Sequence, residues 1–429
     1  MTVADAPHVH REAAEAAGAT EAAAALRAAD PLVADLLTAE AERRADSLQL
    51  LAGENLATPA VLAALAGPLA DKYAEGYPGR RHHTGCGPAD TVELLAVDRA
   101  RALFAAPHAN VQPRSGTSAM LAAYAALLRP GDAVLAMSLE HGGHLSAGST
   151  ANFSGRWFRF HGYGVRAEDG LIDLEQVRRL AREHRPKAIV AGGISYPRQI
   201  DWAAFREIAD EVDAYLIAAA GQLTGLVAAG AVPSPVPYAD VTVAATHKLL
   251  RGPRGGLLLC GAALADRVDR AVFPFTQGGA AMNEVAAKAV ALAQAATPAF
   301  ADYVRRAVSG ARALAAALAA AGAAPLTGGT DTHLVTAAVG ALGLTGVEAE
   351  RRCAAAGLML GRCAVPDDPA PPAETSGIRL GTGTCAAQGM GETELAEVGE
   401  LLGRVLAGGD PGPVRARARE LARAFAGRG

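Results

Sequence analysis

The segment Ala245-Thr246-His247-Lys248-Leu249-Leu250-Arg251-Gly252-Pro253-Arg254-Gly255-Gly256 places a lysine at the exit of an apolar run, framed by residues that force tight turns. Only four lysines occur in the chain (Lys72, Lys187, Lys248 and Lys288), and arginine fills the other basic positions. Arginine stays protonated and cannot act as a nucleophile. Forming an imine with a carbonyl-bearing cofactor is a use of Lys248 that arginine cannot take over; the bland alternative is a solvated surface lysine. A second stretch, Ser115-Gly116-Thr117, ends a loop and opens a helix at Ser118. Backbone N–H groups at a helix N-terminus, with two hydroxyls, make a dianion site, although the same triplet also serves as a simple helix cap.

Further segments follow one another in a fixed order. They are Leu51-Ala52-Gly53-Glu54-Asn55, Lys72-Tyr73-Ala74-Glu75-Gly76-Tyr77-Pro78-Gly79, Asn110-Val111-Gln112-Pro113 and His141-Gly142-Gly143-His144-Leu145. Asn152-Phe153-Ser154-Gly155, Gly170-Leu171-Ile172-Asp173, Ser234 to Asp240 and Ser376-Gly377-Ile378-Arg379-Leu380-Gly381-Thr382 continue the series. From about Asp46 onward the chain resembles the serine hydroxymethyltransferase family, pyridoxal-phosphate (PLP) enzymes of the aspartate-aminotransferase fold, fold type I. The resemblance implies a PLP Schiff base on Lys248 and a phosphate cup at Ser115, Gly116 and Thr117. It implies His141 stacked over the pyridine ring, His247 and Arg254 flanking the lysine loop, and Arg379 clamping the substrate carboxylate as a bidentate fork. Tyr73 and Glu75 match positions that reach in from a neighbouring subunit to cofactor and substrate, the glutamate as proton-transfer group. Gly278 and Gly279 would add backbone contacts from the same partner, and His83 falls among the substrate-binding positions.

The departures are concentrated in the pocket. Where the family places an aspartate against the pyridinium nitrogen, at the end of the strand Ala214-Tyr215-Leu216-Ile217, this chain has Ala219, and the histidine three residues on is Gln222. Without a carboxylate a buried pyridine nitrogen tends to lose its proton, which makes the ring a poorer electron sink. Gly53 replaces a serine, His83 a tyrosine (followed by Thr84), and Ala244 and Ala245 threonines. Ile194 stands for a serine near the cofactor's phenolic oxygen, and Cys363 for an asparagine that contacts folate.

The elements that must position these groups read as α/β. A chain of 429 residues suits two unequal domains, and 51% apolar with 20% charged residues describes a globular protein. Short apolar runs at Ala133–Met137, Ala188–Ala191, Tyr215–Ala218, Val241–Ala244 and Leu257–Cys260 alternate with helical segments at Ser118–Leu128, Leu174–His184 and Trp202–Val212. That alternation predicts a parallel-leaning sheet. Asp30-Pro31 starts a helix, Tyr303–Ala321 forms a long one, and strands at Thr332–Val339 and Gly377–Gly381 belong to a smaller C-terminal α/β domain. The expected division is an N-terminal arm and helix over 1–45, a PLP-binding domain over 46–298 and a small domain over 299–429.

The net charge of −4 gives no reason to expect nucleic acid or an anionic membrane as partner. Five cysteines without C-x-x-C spacing argue against disulfides and a zinc site and for a reducing cytoplasm. No apolar signal core or membrane-length run is present. The expected partners are a small amino acid and further copies of the chain, as a homodimer or homotetramer. Three readings stand at this point. One is a folate-dependent hydroxymethyltransferase interconverting serine and glycine by aldol and retro-aldol chemistry, with tetrahydrofolate as acceptor. Another is a diverged PLP enzyme of specialised metabolism, such as a transaldolase, with little folate-dependent activity. The third is a non-catalytic homologue or partner subunit.

Overall fold

A computed structural model of the chain describes residues 21–427, so residues 1–20 of the expected N-terminal arm lie outside the described residues. The first part of the chain builds a seven-stranded sheet from β1 (His108–Asn110), β2 (Ala133–Met137), β3 (Arg159–Tyr163), β4 (Ala188–Ala191), β5 (Tyr215–Ala219), β6 (Val241–Ala245) and β7 (Gly256–Cys260). The spatial order is β1-β7-β6-β5-β4-β2-β3. Strands β4 to β7 read as continuous apolar runs because helices cover both faces of the sheet. Alternation along each strand divides the side chains between two layers. Leu216, Ala218, Leu257 and Leu259 join one core cluster, and Ile217, Leu258 and Cys260 the other.

The sheet is mixed rather than parallel throughout, since β7 runs antiparallel to both β6 and β1. The reason is the connection Thr246–Gly255. A parallel pair needs a crossover of about a dozen residues or more, usually a helix, and this turn-rich segment closes a hairpin instead. That hairpin carries Lys248.

Helices α1 (Pro31–Ala45), α2 (Gly87–Phe104), α3 (Gly116–Leu127), α4 (Leu174–His184), α5 (Trp202–Glu211), α6 (Met282–Ala295) and α7 (Pro298–Ala320) follow in chain order. Asp30 caps α1 by accepting from the Val33 amide, with Pro31 in the first turn, as the Asp-Pro pair predicts. Ser115 caps α3 in a reciprocal box with Ser118, a motif that contributes about 1 kcal/mol.

A second, four-stranded antiparallel sheet holds β8 (Ala324–Pro325), β9 (Leu334–Ala338), β10 (Gly361–Cys363) and β11 (Gly377–Gly381), in the order β8-β9-β11-β10. Its core is shared with α7, whose Phe300, Val304 and Ala307 face the first core while Ala311, Leu314 and Leu318 face the second. Leu48 and Leu50 join this second core, because Leu48–Gln49 pairs in parallel with Leu358–Met359. All five cysteines are free. Among the described residues no helix is long and apolar enough to cross a membrane.

Candidate active site

A cavity of about 440 Å³ opens at the carboxyl ends of the parallel strands, where ligands of open α/β sheets gather. Ala219 at the end of β5, Ala244 and Ala245 at the end of β6, and Gly193 and Ile194 after β4 form its floor. Ser115, Gly116 and Thr117 at the start of α3 line one side. Leu51, Gly53, Glu54 and Arg379, which stem from segments anchored in the second core, close the other side.

Lys248 lies in this cavity, and burial, with Arg379 and Arg254 as neighbouring cations, pushes its ammonium down to about 7. Near neutral pH a large share of it is therefore the free, nucleophilic amine. Its backbone is held firmly. The Asn55 side chain donates to Lys248 O at 2.9 Å and to the Tyr303 hydroxyl at 2.7 Å. Arg251 takes a left-handed backbone (φ 59°), donates to Leu56 O at 2.9 Å and lies over the Tyr303 ring. Thr246 closes the hairpin by donating to Pro253 O at 2.6 Å.

Arg379 donates to Ile194 O at 3.2 Å and to the Ser195 hydroxyl at 3.3 Å, while its Nε is buried and has no partner among the described residues. His247 Nδ1 and Gln222 Oε1 are likewise buried without a partner. His247 stays neutral, its pKa pushed down to about 4 by burial and by Arg254 and Lys248. Three orphaned polar atoms around one cavity mark a site shaped for a polar ligand. Its charge pattern fits an anion: Arg254 and Arg379, with the protonated share of Lys248, face a single carboxylate, Glu54, among the lining residues.

One expectation differs in the structure. His141 does not line the cavity; its Nδ1 accepts from the Val165 amide at 3.3 Å, and its ring packs against Gly164. The short turn Leu139–His141 ends in Gly142 with φ 107°, which folds the chain back and delivers His144 to the cavity instead. His144 pairs with the Ser146 hydroxyl at 2.7 Å, and burial, then Lys248 and Arg379, lower its pKa. Ile194 lines the cavity, and the hydroxyl of Ser195 beside it accepts from Arg379 at 3.3 Å. His144 belongs to the same His-Gly-Gly-His run, and only the turn geometry separates the two histidines.

Tyr73, Glu75, His83, Gly278 and Gly279 form a separate group that does not line this chain's cavity. Glu75 accepts from the Tyr73 hydroxyl at 3.2 Å, lies 3.1 Å from His83 Nε2 and abuts the Gly278-Gly279 turn. Cys363 is partly buried on β10, and burial pushes its thiol up to about 12.

A family model described as Serine hydroxymethyltransferase matches residues 26–402. A relative named serine hydroxymethyltransferase, from Desulforapulum autotrophicum, is 47% identical over 402 residues, covering 94% of this chain and 97% of its own length. The chain belongs to the serine hydroxymethyltransferase family. Members of this serine hydroxymethyltransferase family are PLP-dependent transferases of fold type I, and the large mixed sheet with helices on both faces is that fold.

On the Lys248 and α3 sides of the cavity the residues fit PLP: a low-pKa amine, a helix N-terminus with two hydroxyls, and nearby cations. On the Ala219 side the wall is Ala219, Val243 and Gln222, with no carboxylate.

Proposed function

We propose that the chain is a PLP-dependent enzyme that makes and breaks the Cα–Cβ bond of a small β-hydroxy amino acid, interconverting serine and glycine with tetrahydrofolate as one-carbon acceptor. The observation that carries this reading is the meeting of Lys248, the capped N-terminus of α3 and Arg379 at one cavity. Lys248 would hold the cofactor through Nζ, and Ser115, Gly116 and Thr117 would hold its phosphate. His144 would lie against its ring, the place expected of His141. PLP supplies an electron-withdrawing ring that receives the electron pair left when a bond at Cα breaks.

Arg379, with its Nε free, binds the substrate carboxylate in a fork. That contact fixes which bond at Cα faces the ring. Glu75 holds and moves the proton of the substrate hydroxyl, and its pairing with His83 and Tyr73 orients the carboxylate. Since that group lies outside this chain's cavity, it serves a neighbouring copy, and the working unit is a homodimer or larger. The setting is the cytoplasm, in keeping with five free cysteines.

The test is chemical. Borohydride reduction of the PLP-loaded protein, followed by peptide mapping, places the pyridoxyl group on Lys248. Label on Lys72, Lys187 or Lys288, or no label at all, overturns the reading.

A further inference from the structure

Lys288 lies on α6, fully buried, and takes no part in the chemistry above. Its ammonium donates to three backbone carbonyls, Val111 O at 2.7 Å, Pro113 O at 2.8 Å and Gly256 O at 3.2 Å. Among the described residues it forms no salt bridge. A buried cation without a direct counter-ion is costly, so an apolar side chain would serve mere packing better.

The three carbonyls show what the cation joins. Val111 and Pro113 belong to the loop from β1 into Ser115, the N-cap of α3. Gly256 opens β7 directly after Arg254 and Gly255. The two segments touch: the Gly256 amide donates to Pro113 O at 2.9 Å, and a Cβ on Gly256 would stand 2.4 Å from Ser115 O. Gly255 leaves room for the lysine, since a Cβ there would stand 2.4 Å from Lys288 Cε.

We propose that Lys288 is a positioning residue whose ammonium clamps the 111–113 loop to the start of β7, and so holds the anion-binding end of α3 in register with Lys248 and Arg254. The proposal rests on the reading of that helix end as the phosphate cup. Three carbonyls match the three N–H donors of an ammonium; a neutral amine has only two. Burial pushes the Lys288 pKa down to about 7, opposed by Glu284 on its own helix and Glu93 on α2, and furthered by Arg114 from the loop. Glu93 is held by Arg81 and Gln112, and Glu284 pairs with Arg114 at 3.6 Å. The clamp is complete below this pKa and weakens as pH rises through it.

The experiment compares affinities of the full chain for pyridoxal phosphate, pyridoxal and inorganic phosphate. Lys288→Met should lose about tenfold or more in affinity for both phosphate-bearing probes and stay within about twofold for pyridoxal. The ratio of wild-type to variant phosphate affinity should shrink as pH is raised through 7. In Lys288→Ala, added ethylammonium should restore phosphate affinity, and tetramethylammonium, which has no N–H, should not. A folded Lys288→Met protein that keeps wild-type phosphate affinity overturns the proposal, as does an equal loss for pyridoxal. Should the Lys288 variants fail to fold, Gly255→Ala must reproduce the selective loss by displacing the lysine, and its retention of wild-type affinity overturns the clamp. Wild-type protein that binds inorganic phosphate but never captures pyridoxal phosphate on Lys248 refutes the proposed function while leaving this comparison intact. Wild-type protein that binds neither refutes both.

Discussion

At the end of β5 the side chain facing the cavity is the methyl group of Ala219, where the family resemblance puts a carboxylate. A carboxylate there would favour a protonated ring nitrogen by roughly 1–3 pKa units, each about 1.4 kcal/mol. Ala219→Asp should therefore raise the exchange of the glycine α-proton in deuterated water by about tenfold or more, followed by NMR on the PLP-loaded protein. An unchanged rate would mean that the ring nitrogen already has a partner, and Gln222, with its unpartnered Oε1, stands beside Ala219 on the same wall. Lys248 makes a second prediction at this scale. Its pKa of about 7 lies below the ordinary lysine value, so the neutral amine grows as pH rises through 7. The rate of covalent PLP capture by the cofactor-free protein at saturating PLP, read by borohydride quench, should rise through that window and level off above it. A rate that keeps climbing toward pH 10 would place the amine in a solvent-like setting. Of these residues, Lys248, Ser115 and Thr117 were legible from residue type and local setting, and Arg379 only through the family resemblance. His144 was not, because choosing it over His141 depends on a left-handed glycine.

Elements were more legible than their directions. Strands β2, β4, β5, β6 and β7 stood out as apolar runs because both faces of the sheet are covered. Strand β3 was missed, since Arg159-Phe160-His161-Gly162-Tyr163 lies at the sheet edge and only Tyr163 is fully buried. Strand β1 is three residues long, too short for an alternation to show. The antiparallel sense of β7 follows from the brevity of the Thr246–Gly255 connection. The hairpin has a chemical consequence. A helix crossover would carry Lys248 over one face of the sheet, whereas a hairpin pinned by Asn55, Thr246 and Arg251 keeps it at the strand ends. The same closeness places Lys288 behind the N-terminus of α3, a long-range relation between α6 and the 111–113 loop that no local pattern encodes.

In the molecule as a whole, the cavity lies where the two cores meet: the lysine loop comes from the large sheet, and Arg379 comes from β11 of the small one. The cluster of Tyr73, Glu75 and His83 has no such place in its own chain, and Tyr73 is 63% exposed. Helix α1 also turns Leu32 and Leu36 to solvent at 75% and 70% exposure, and Phe275 is 64% exposed close to the Gly278-Gly279 turn in sequence. Large apolar side chains left uncovered in this way favour burial against another copy, at about 25 cal/mol per Å² of apolar surface. A two-fold dimer would supply that cover and would bring each copy's Glu75 group to the other's cavity. Mixing inactive Lys248→Ala protein with inactive Glu75→Gln protein, under conditions that exchange subunits, should then restore about a quarter of wild-type turnover. Half of the dimers are mixed, and each mixed dimer carries one site with both residues intact. The check is the rate of serine cleavage in the mixture against each parent alone. If Glu75 instead acted within its own chain, every mixed dimer would hold two defective sites, and no activity would return.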